Sequence, residues 1–561
     1  MTAARVVGAF LLAGLGCGTS ASGPVTPDQI VVTPPAATLL LGDSLQLGVA
    51  VLDAGGDTIP GAAVTFRSGD TTVVRVTAAG RVRAVGVGSA FVEVRSSPAT
   101  ATAAFLVLAV GPPDQVRATP PAATLLVGDS LQLAVAVLDA RGDTIAGAPV
   151  TFSSSDDAVA QVTATGRIRS VGAGSAYVEV RSAPASTTVP VTVLAVGSIA
   201  LSPSTGVVVE NGSLVLQATV YDVGGTAYPS YRPAFRSLDP AIAAVSAGGV
   251  VSFGSVGTTG IVAAAGGVAD TTIVTALVAR LPFADRPYGV AAHAAGTAYV
   301  LRLDAGVAHR LDLPSLAVGP AVAVGSLPAS VAIDAAGTRA YVANQGSGSV
   351  AVLDVAANAV VGSLSLDGMP IFAIVVAPGD SLVYVGADNG YAYGLRATTG
   401  ARVDSVFVGG PVNSLAIHDT LLYAGSPFAS NVREHNLRTR TPGRSFAVGG
   451  VPQQLVVSAT GQELYVANEV GSVQFWSLVT GAEVFTLALP GGGGYGMALQ
   501  PGTDRLWVST SYLGTGVHVV DAATRTLVRT VAVGGTSRRI AFTAAGWGLI
   551  GNEAGWVDLV R

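Results

Sequence analysis

The sequence predicts an all-β protein of several domains, and three observations predict this fold class. Half of the 561 residues are hydrophobic, yet only 6% are aromatic and 12% are charged, and the chain holds 71 Gly and 30 Pro. Valine-rich runs interrupted by Gly and Pro are typical of short strands and tight turns. The other two observations are internal repeats, one 86 residues long in the N-terminal half and one of 41 or 42 residues in the C-terminal half.

The charge and hydropathy of the chain argue against a nucleic-acid partner and against a membrane-spanning helix. The net charge is −5, no lysine is present, and the arginines are scattered along the chain. A nucleic-acid surface needs clustered basic residues, so no nucleic-acid partner is expected. Although the mean hydropathy is +0.56, no run of about 18 apolar residues follows residue 16, so no membrane-spanning helix is predicted.

The first residues have the pattern of an export signal. Arg5 precedes a short apolar run, Val6 to Leu15, and Cys17, the single cysteine, follows Gly16. A charged start, a short apolar region and small residues predict a signal peptide at 1–16. The segment resembles a bacterial lipoprotein signal, which implies lipidation of Cys17, a flexible tether at 17–28 and membrane contact only through this anchor. The alternative is plain secretion, with cleavage among residues 18–21.

The N-terminal half contains three copies of one repeat. The run Gly-Asp-Ser-Leu-Gln-Leu begins at Gly42 and again at Gly128, and a weaker copy begins at Asn211. Each copy ends in a glycine-rich strand pattern, as at Val85 and Val171. Period-two alternation and closely spaced turns predict a β-sandwich in each copy. We place the three domains at 29–112, 113–196 and 197–274.

The order of motifs in these copies resembles the bacterial Ig-like group 2 domain (BIG2). The resemblance covers about residues 29–278 and is strongest in the first two copies. It implies an immunoglobulin-like sandwich that acts as a spacer or adhesion module of a surface protein, although a fold alone does not define a function.

Aspartates flank two of the glycine turns. Asp53 and Asp57 form one pair, and Asp139 and Asp143 form the other. Calcium usually takes 6–8 oxygen ligands, which is more than such a turn offers. Since Asp and Gly are also common β-turn residues, we expect turns and no metal or other cofactor.

The second half of the chain predicts a propeller. Prolines recur at 41- or 42-residue intervals from Pro287 to Pro452, and aromatic residues recur behind them from Tyr299 to Trp507. This period, with strand composition, is typical of four-stranded propeller blades. Seven blade starts fit residues 275–561. The last blade has room for three strands, so residues 275–281 are expected to supply the fourth and close the ring.

Two of the predicted blades contain the same four-residue strand. Tyr-Val-Ala-Asn begins at Tyr341 and at Tyr465, and it resembles the YVTN-type propeller repeat. The predicted fold class is therefore all-β, with three Ig-like β-sandwiches in tandem followed by a seven-bladed β-propeller.

No motif identifies a reaction. We find no nucleophile elbow, P-loop or zinc-protease motif. The five histidines, at scattered propeller positions, are expected to be exposed strand and turn residues: His293, His309, His418, His435 and His518. The polar residues at the exits of third strands are expected to be turn residues: Asp312, Asp354, Asn436 and Asp521.

Loops on one propeller face are the predicted ligand site, because loops on a rigid scaffold often carry binding residues. The loops that lead into first strands and leave second strands meet on this face. The ligand-binding residues predicted there are Tyr288, Asn344, Phe372, Asn413, Gln453, Asn468, Tyr495, Arg538 and Asn552, and neighbouring candidates are Asp388, Asn389, Gln454, Glu469, Arg539 and Glu553. No catalytic residue is predicted.

These observations favour a surface-displayed or secreted binding or adhesion protein. An Ig-like stalk would present the propeller to a cell-envelope or extracellular protein, a peptide or a glycan. The expected location is the outer membrane or cell surface as a lipoprotein, or otherwise the medium. The alternatives are a propeller enzyme, such as a lyase or hydrolase, and a purely structural envelope protein.

Overall fold

The computed structural model describes residues 25–109, 111–510 and 516–561. The predicted signal peptide, Cys17 and most of the tether lie outside these residues. Within the described residues the chain forms strands, turns and bends and no helix, and none of it could span a membrane as a helix. The all-β fold class is confirmed. The chain divides into two compact units, 1–194 and 195–561.

The first unit contains two sandwiches with the same strand order. Strands β1 to β9 are Gln29–Thr33, Ala36–Leu40, Ser44–Gln46, Gly48–Leu52, Thr65–Ser68, Val74–Val76, Arg81–Ala84, Gly88–Ser96 and Ala99–Leu108. Strands β10 to β18 are Gln115–Thr119, Ala123–Leu126, Ser130–Gln132, Ala134–Leu138, Thr151–Ser154, Ala160–Val162, Arg167–Ser170, Gly174–Ser182 and Ala185–Leu194.

Each of these sandwiches is built from three sheets. In the first, the sheets are β2-β9-β8-β5, β3-β7-β6 and the pair β1-β4, and β2 runs parallel to β9. Period-two alternation places Val92 and Val94 in the core, whereas Phe91, directly before Val92, is half exposed. The aspartate turns are hydrogen-bonded as expected, since Asp53 Oδ1 accepts from the backbone N–H of Gly55 and Asp57 at 2.9 and 3.0 Å.

The second unit begins with the third sandwich. Its strands, β19 to β28, are Val196–Ser202, Thr205–Val209, Ser213–Val215, Gln217–Asp222, Ala227–Tyr228, Ala234–Ser237, Ala243–Val245, Val250–Phe253, Gly257–Ala265 and Val268–Leu277. Its sheets β20-β28-β27-β24 and β21-β26-β25 correspond to those of the first two sandwiches. The sequence repeat is degraded here, but the strand order is retained.

The propeller has seven four-stranded blades. Strand β29 is Ala279–Pro282, and the first six blades are β30 to β53: Pro287–Ala292, Thr297–Arg302, Val307–Asp312, Ala317–Ala323; Pro328–Ile333, Arg339–Asn344, Ser349–Asp354, Ala359–Ser365; Ile371–Val376, Leu382–Ala387, Tyr391–Arg396, Arg402–Phe407; Ser414–His418, Leu421–Ser426, Asn431–Asn436, Thr441–Phe446; Pro452–Val457, Glu463–Asn468, Ser472–Ser477, Glu483–Ala488; Gly494–Leu499, Arg505–Thr510, Val517–Asp521, Thr526–Val531. Strands β54 to β56 are Ser537–Phe542, Gly548–Asn552 and Trp556–Val560.

The ring is closed by pairing between its two ends. Strand β29 pairs antiparallel with β56, which completes the seventh blade in the order β29-β56-β55-β54. The first strands of successive blades contact each other, and β30 contacts β54. The expected closing segment, 275–281, needs correction, because residues 275–277 pair with Val207–Val209, and residues 275–276 also pair with Gly257–Thr258, inside the third sandwich.

The third sandwich is joined to the propeller by polar and apolar contacts. Thr275 Oγ1 donates to the backbone carbonyl of Ala532 at 2.7 Å, and the Ala532 N–H donates to Thr258 Oγ1 at 2.8 Å. Leu277 and Val278 belong to the same buried cluster as propeller residues such as Trp507. The third sandwich and the propeller therefore share a core.

Recurring residues have recurring roles in the blades. The aromatic residue that recurs in the second strands of the first six blades is buried, as for Tyr299, Tyr384 and Trp507. The polar residues at third-strand exits bond the following turn, as expected: Asp354 Oδ1 accepts from the Ala357 N–H at 2.9 Å, and Asp521 Oδ1 accepts from the Thr524 N–H at 2.8 Å.

The prediction of exposed histidines was wrong. His435 and His518 are buried, at 2% and 3% exposure, and the other three are half buried. His435 Nε2 lies 2.9 Å from Asp404 Oδ2 of the preceding blade, and His518 Nε2 lies 3.0 Å from the Pro490 carbonyl. These rings bond to neighbouring structure, and no group of possible metal ligands forms among the described residues.

Candidate functional site

The first strands of the blades line the central channel with two layers of side chains. In six blades the pairing between first and second strands shifts register at the start of the first strand. Such a bulge re-aims side chains and lets consecutive residues face the same space. The outer layer consists of Tyr288, Ala329, Phe372, Asn413, Gln453 and Tyr495, and the equivalent residue of blade seven, Arg538, lies behind Tyr495. The deeper layer consists of Gly289, Ser330, Ala373, Ser414, Gln454 and Arg539, with Gly496 at the equivalent position of blade six.

The outer layer forms a cavity at the channel mouth. Its volume is about 250 Å³, and its lining comprises Tyr288, Ala329, Gln345, Phe372, Pro411, Asn413, Pro427, Phe428, Gln453, Tyr495 and Arg539. A second cavity of about 140 Å³ lies among the deeper residues, and Asn413 and Arg539 line both. The channel mouth therefore opens onto a space with aromatic walls and a polar base.

The two tyrosines of the mouth contact each other and two arginines. Tyr288 Oη and Tyr495 Oη are hydrogen-bonded, and their ring centres lie 6.5 Å apart in an edge-to-face arrangement. The Arg538 guanidinium lies 4.4 Å from the ring centre of Tyr495, and that of Arg539 lies 5.4 Å from it. Burial, together with the nearby Tyr288, raises the pKa of Tyr495 above its ordinary value. The phenol therefore remains protonated at neutral pH.

Arg538 supports the mouth from below. Its side chain is only 1% exposed, and its Nε donates to Glu553 Oε1 at 2.8 Å. Arg286 Nη2 donates to the same oxygen at 2.9 Å. Burial by itself would raise the pKa of Glu553, but the hydrogen bonds from both arginines hold it below the ordinary value. The ion pair fixes the guanidinium against Tyr495.

A chain of side-chain amides crosses the other side of the mouth. Gln453 Nε2 donates to Glu469 Oε2 at 2.5 Å, and Asn413 Nδ2 donates to Gln453 Oε1 at 2.7 Å. Because an ionised carboxylate only accepts, Glu469 fixes the orientation of Gln453, which in turn fixes that of Asn413. The remaining acceptor, Asn413 Oδ1, is buried and has no hydrogen-bond partner among the described residues.

The structure brings together only part of the predicted ligand-binding set. Tyr288, Phe372, Asn413, Gln453 and Tyr495 line one cavity, as the sequence reasoning grouped them. Arg538 lies behind Tyr495. The neighbouring candidates Asp388 and Asn389 are not part of the lining, and Asn389 Nδ2 donates to Tyr393 Oη at 2.7 Å.

Asn344, Asn468 and Asn552 need to be removed from the ligand-binding set. They are fully buried at the ends of second strands, and none lines the cavity. Their amides bond the backbone that leads into the first strand of the same blade, with Nδ2 donating to the carbonyls of Val324, Gly449 and Gly534 at 2.8, 3.0 and 2.7 Å. The reason is local: asparagine at a strand end satisfies loop backbone groups that would otherwise be buried unpaired.

The lining residues that the sequence analysis missed include one exposed aromatic and one polar residue. Phe428, which is 82% exposed, lies in the loop that leaves the second strand of blade four, and Gln345 directly follows Asn344. Both occupy the type of loop that the prediction used. The sequence signal that could have identified Phe428 was an aromatic side chain in such a loop, directly after Pro427.

Comparisons with known proteins agree with the sandwich fold. Residues 27–104 and 113–193 match the family model described as bacterial Ig-like domain (group 2). A curated relative, Ice-binding protein 1 of Shewanella frigidimarina, is 28% identical over 271 residues. That match covers 46% of this chain, and the chain spans 30% of the relative's length.

Among solved structures, Kuenenia stuttgartiensis hydrazine synthase is similar to half of the chain. The similarity covers 50% of this chain and 96% of that one, with 17% identity and a TM-score of 0.46.

Proposed function

We propose that this chain is a surface-associated or secreted binding protein that holds a small polar ligand with a flat apolar face, such as a glycan residue, at the propeller mouth. The observation that carries the proposal is the cavity in which Tyr288, Phe372 and Tyr495 converge beside Asn413 and Gln453. Aromatic walls with a few placed polar groups are typical of small-ligand sites. The volume of about 250 Å³ is small and suits one or two such residues.

The setting of the site supports a display role. Two segments match bacterial Ig-like domains, and the chain is similar to part of a protein named for ice binding. The third sandwich shares a core with the propeller, so it would hold the binding face on a rigid support. A lipid on Cys17 would anchor the whole chain to an envelope. Release of the unmodified chain into the medium would contradict the anchored form and leave the secreted one.

The enzyme alternative is less well supported by the same residues. Ionisable groups do lie within hydrogen-bond reach at the mouth, namely Tyr288 with Tyr495 and Arg538 with Glu553. A general acid or base works best with a pKa near the operating pH. Here the pKa of Tyr495 is raised and that of Glu553 is lowered, so both shifts lead away from neutrality. This favours binding over proton transfer.

A glycan array probed with the full-length chain tests the proposal. A bound glycan should lose affinity when Tyr495 is changed to Ala, because a stacking face is removed. Phe485→Ala is the matched control, since Phe485 is a partly exposed aromatic of an outer strand. Equal binding by Tyr495→Ala and the unmodified chain would move the site away from this face.

A further inference from the structure

We propose that the ligand at the propeller mouth is an acidic sugar, whose carboxylate is bound by Arg539 and whose adjacent hydroxyl donates to Asn413 Oδ1. This inference rests on the proposed function and adds the ligand's charge and its orientation. Arg539 and Asn413 line both cavities and so lie at the junction between the mouth and the deeper space.

The guanidinium of Arg539 lacks a carboxylate partner among the described residues. Its Nη1 donates to the carbonyl of Gln453 at 3.1 Å and to Gln454 Oε1, and its Nη2 lies 3.5 Å from the Asn413 carbonyl. All three acceptors are neutral, and they engage at most three of the five N–H donors. The neighbouring Arg538 is paired with Glu553 instead. A partly buried cation without a counter-charge favours an anionic ligand.

The deeper channel layer leaves room beside that cation. Apart from Gln454 and Arg539, the residues at this level are small: Gly289, Ser330, Ala373, Ser414 and Gly496. Except for Gly496, all of them line the cavity of about 140 Å³. A carboxylate can enter this space and be held in a two-bond fork by the guanidinium. The sugar ring would then lie in the wider mouth, against Tyr288 and Tyr495.

The orientation of Asn413 supplies the second contact. Glu469 fixes Gln453, and Gln453 fixes Asn413 so that Oδ1 is the free acceptor. A buried acceptor without a partner is unfavourable, because it has lost its hydrogen bonds to water. A ligand therefore gains by placing a donor there, within reach of the group that binds Arg539. A uronic acid carries a carboxylate and a neighbouring hydroxyl at fixed positions on one ring.

A peptide fits the mouth less well. Each peptide residue brings a backbone N–H and a carbonyl that need partners when buried. The polar side chains of the mouth largely bond each other, as for Gln453 with Glu469 and Arg539 with Gln454. A sugar can keep its remaining hydroxyls in the solvent at the open mouth and place its C–H face on an aromatic ring.

The test is isothermal titration calorimetry of the full-length chain with trisaccharides of galacturonate and glucuronate, and with their neutral galactose and glucose counterparts. At least one acidic trisaccharide should bind about 10- to 100-fold more tightly than its neutral counterpart, as expected for charge-assisted hydrogen bonds. Arg539→Gln should remove that difference. Arg438→Gln, the same charge change at an exposed turn of blade four, should preserve it.

Two further variants test the two ligand contacts one at a time. Arg539→Lys keeps the charge but loses the fork, and it should give intermediate affinity. Asn413→Asp places a carboxylate beside the carboxylate of the ligand. It should therefore lower the affinity for the acidic sugar more than the affinity for the neutral one. Near-ultraviolet circular dichroism checks that each variant keeps the fold.

The outcomes are distinguishable. Equal binding of acidic and neutral sugars, with loss in Tyr495→Ala, overturns this inference and leaves the proposed function standing. Binding of a tripeptide with a free C-terminus, but of no sugar, also overturns it. If no compound binds and Tyr495→Ala has no effect on any array hit, both proposals fail.

Discussion

Arg280 and Asp558 lie opposite each other on paired strands where the propeller ring closes. Arg280 Nε lies 2.6 Å from Asp558 Oδ1, and Nη2 lies 3.1 Å from Oδ2. The carboxylate is fully buried, and it also accepts from Trp556 Nε1 at 3.0 Å. The guanidinium lies 4.5 Å from the Trp556 ring centre. Since β29 is the first propeller strand and β56 the last, this pair fastens the two ends of the ring.

Removal of the arginine should destabilise the propeller. Arg280→Met leaves the Asp558 carboxylate buried without its counter-charge, and the loss of one partner of a buried pair costs about 3–5 kcal/mol. Chemical denaturation, followed by tryptophan fluorescence, measures the change. Arg402→Met is the control, because the partner of Arg402, Asp367, is 84% exposed and such surface pairs contribute about 0–1 kcal/mol. Similar effects of the two substitutions would contradict the closing role.

The stability of the ring should depend on pH through Asp558. Burial raises the pKa of this carboxyl to about 6, although Arg280 and Trp556 lower it in part. Because the pKa of Asp558 is higher in the folded state than in the unfolded state, its stabilising contribution is complete below the ordinary value of 3.8. That contribution is lost as the pH rises through about 6. The unmodified protein should therefore lose stability between pH 4 and pH 7 relative to Asp558→Asn.

The comparison with Asp558→Asn is needed because another group titrates in the same range. Burial lowers the pKa of His518, so its contribution is present above its ordinary value of 6.5 and is lost as the pH falls. That slope has the opposite sign and is shared by both proteins. A constant difference in unfolding free energy from pH 4 to pH 7 would contradict the assignment to Asp558.

The junction between the third sandwich and the propeller should depend on two threonines. Thr258→Val and Thr275→Val together leave the N–H and carbonyl of Ala532 without these partners, which costs about 1–3 kcal/mol for each group left buried and unpaired. We expect earlier unfolding of the third sandwich and faster proteolysis near Val278. Thr192→Val is the control, because Thr192 is the exposed equivalent of Thr275 in the second sandwich.

The strand-end asparagines should affect folding and not ligand binding. Asn468→Ala removes bonds to the Gly449 carbonyl and the Val451 N–H at 3.0 and 2.8 Å. A loss of about 1–3 kcal/mol is expected, with unchanged affinity for any ligand of the mouth. Asn413→Ala should show the reverse. Calorimetric unfolding and binding titrations on both variants decide between these roles.

Strand periodicity and repeat length predicted most of the fold, whereas side-chain direction was the main source of error. The 41-residue spacing located the blades because each of the first six blades places an aromatic such as Tyr384 in the same buried position. The closing segment was misplaced because Thr275 and its neighbours read as a strand in either domain, and only pairing separates the two. Tyr288 and Asn344 both occur in loops of one face, but asparagine can satisfy the local backbone. Sequence does not show which way such a side chain points.

Hydrogen–deuterium exchange of the full-length chain, with and without a saturating glycan from the array, tests the central claim most directly. Bound ligand should slow exchange in the segments that surround the mouth, residues 287–290, 411–415, 427–430 and 493–497. Exchange in the turns of the opposite face, such as residues 437–440, should not change. Protection confined to the sandwiches, or to that opposite face, would contradict a binding site at the propeller mouth.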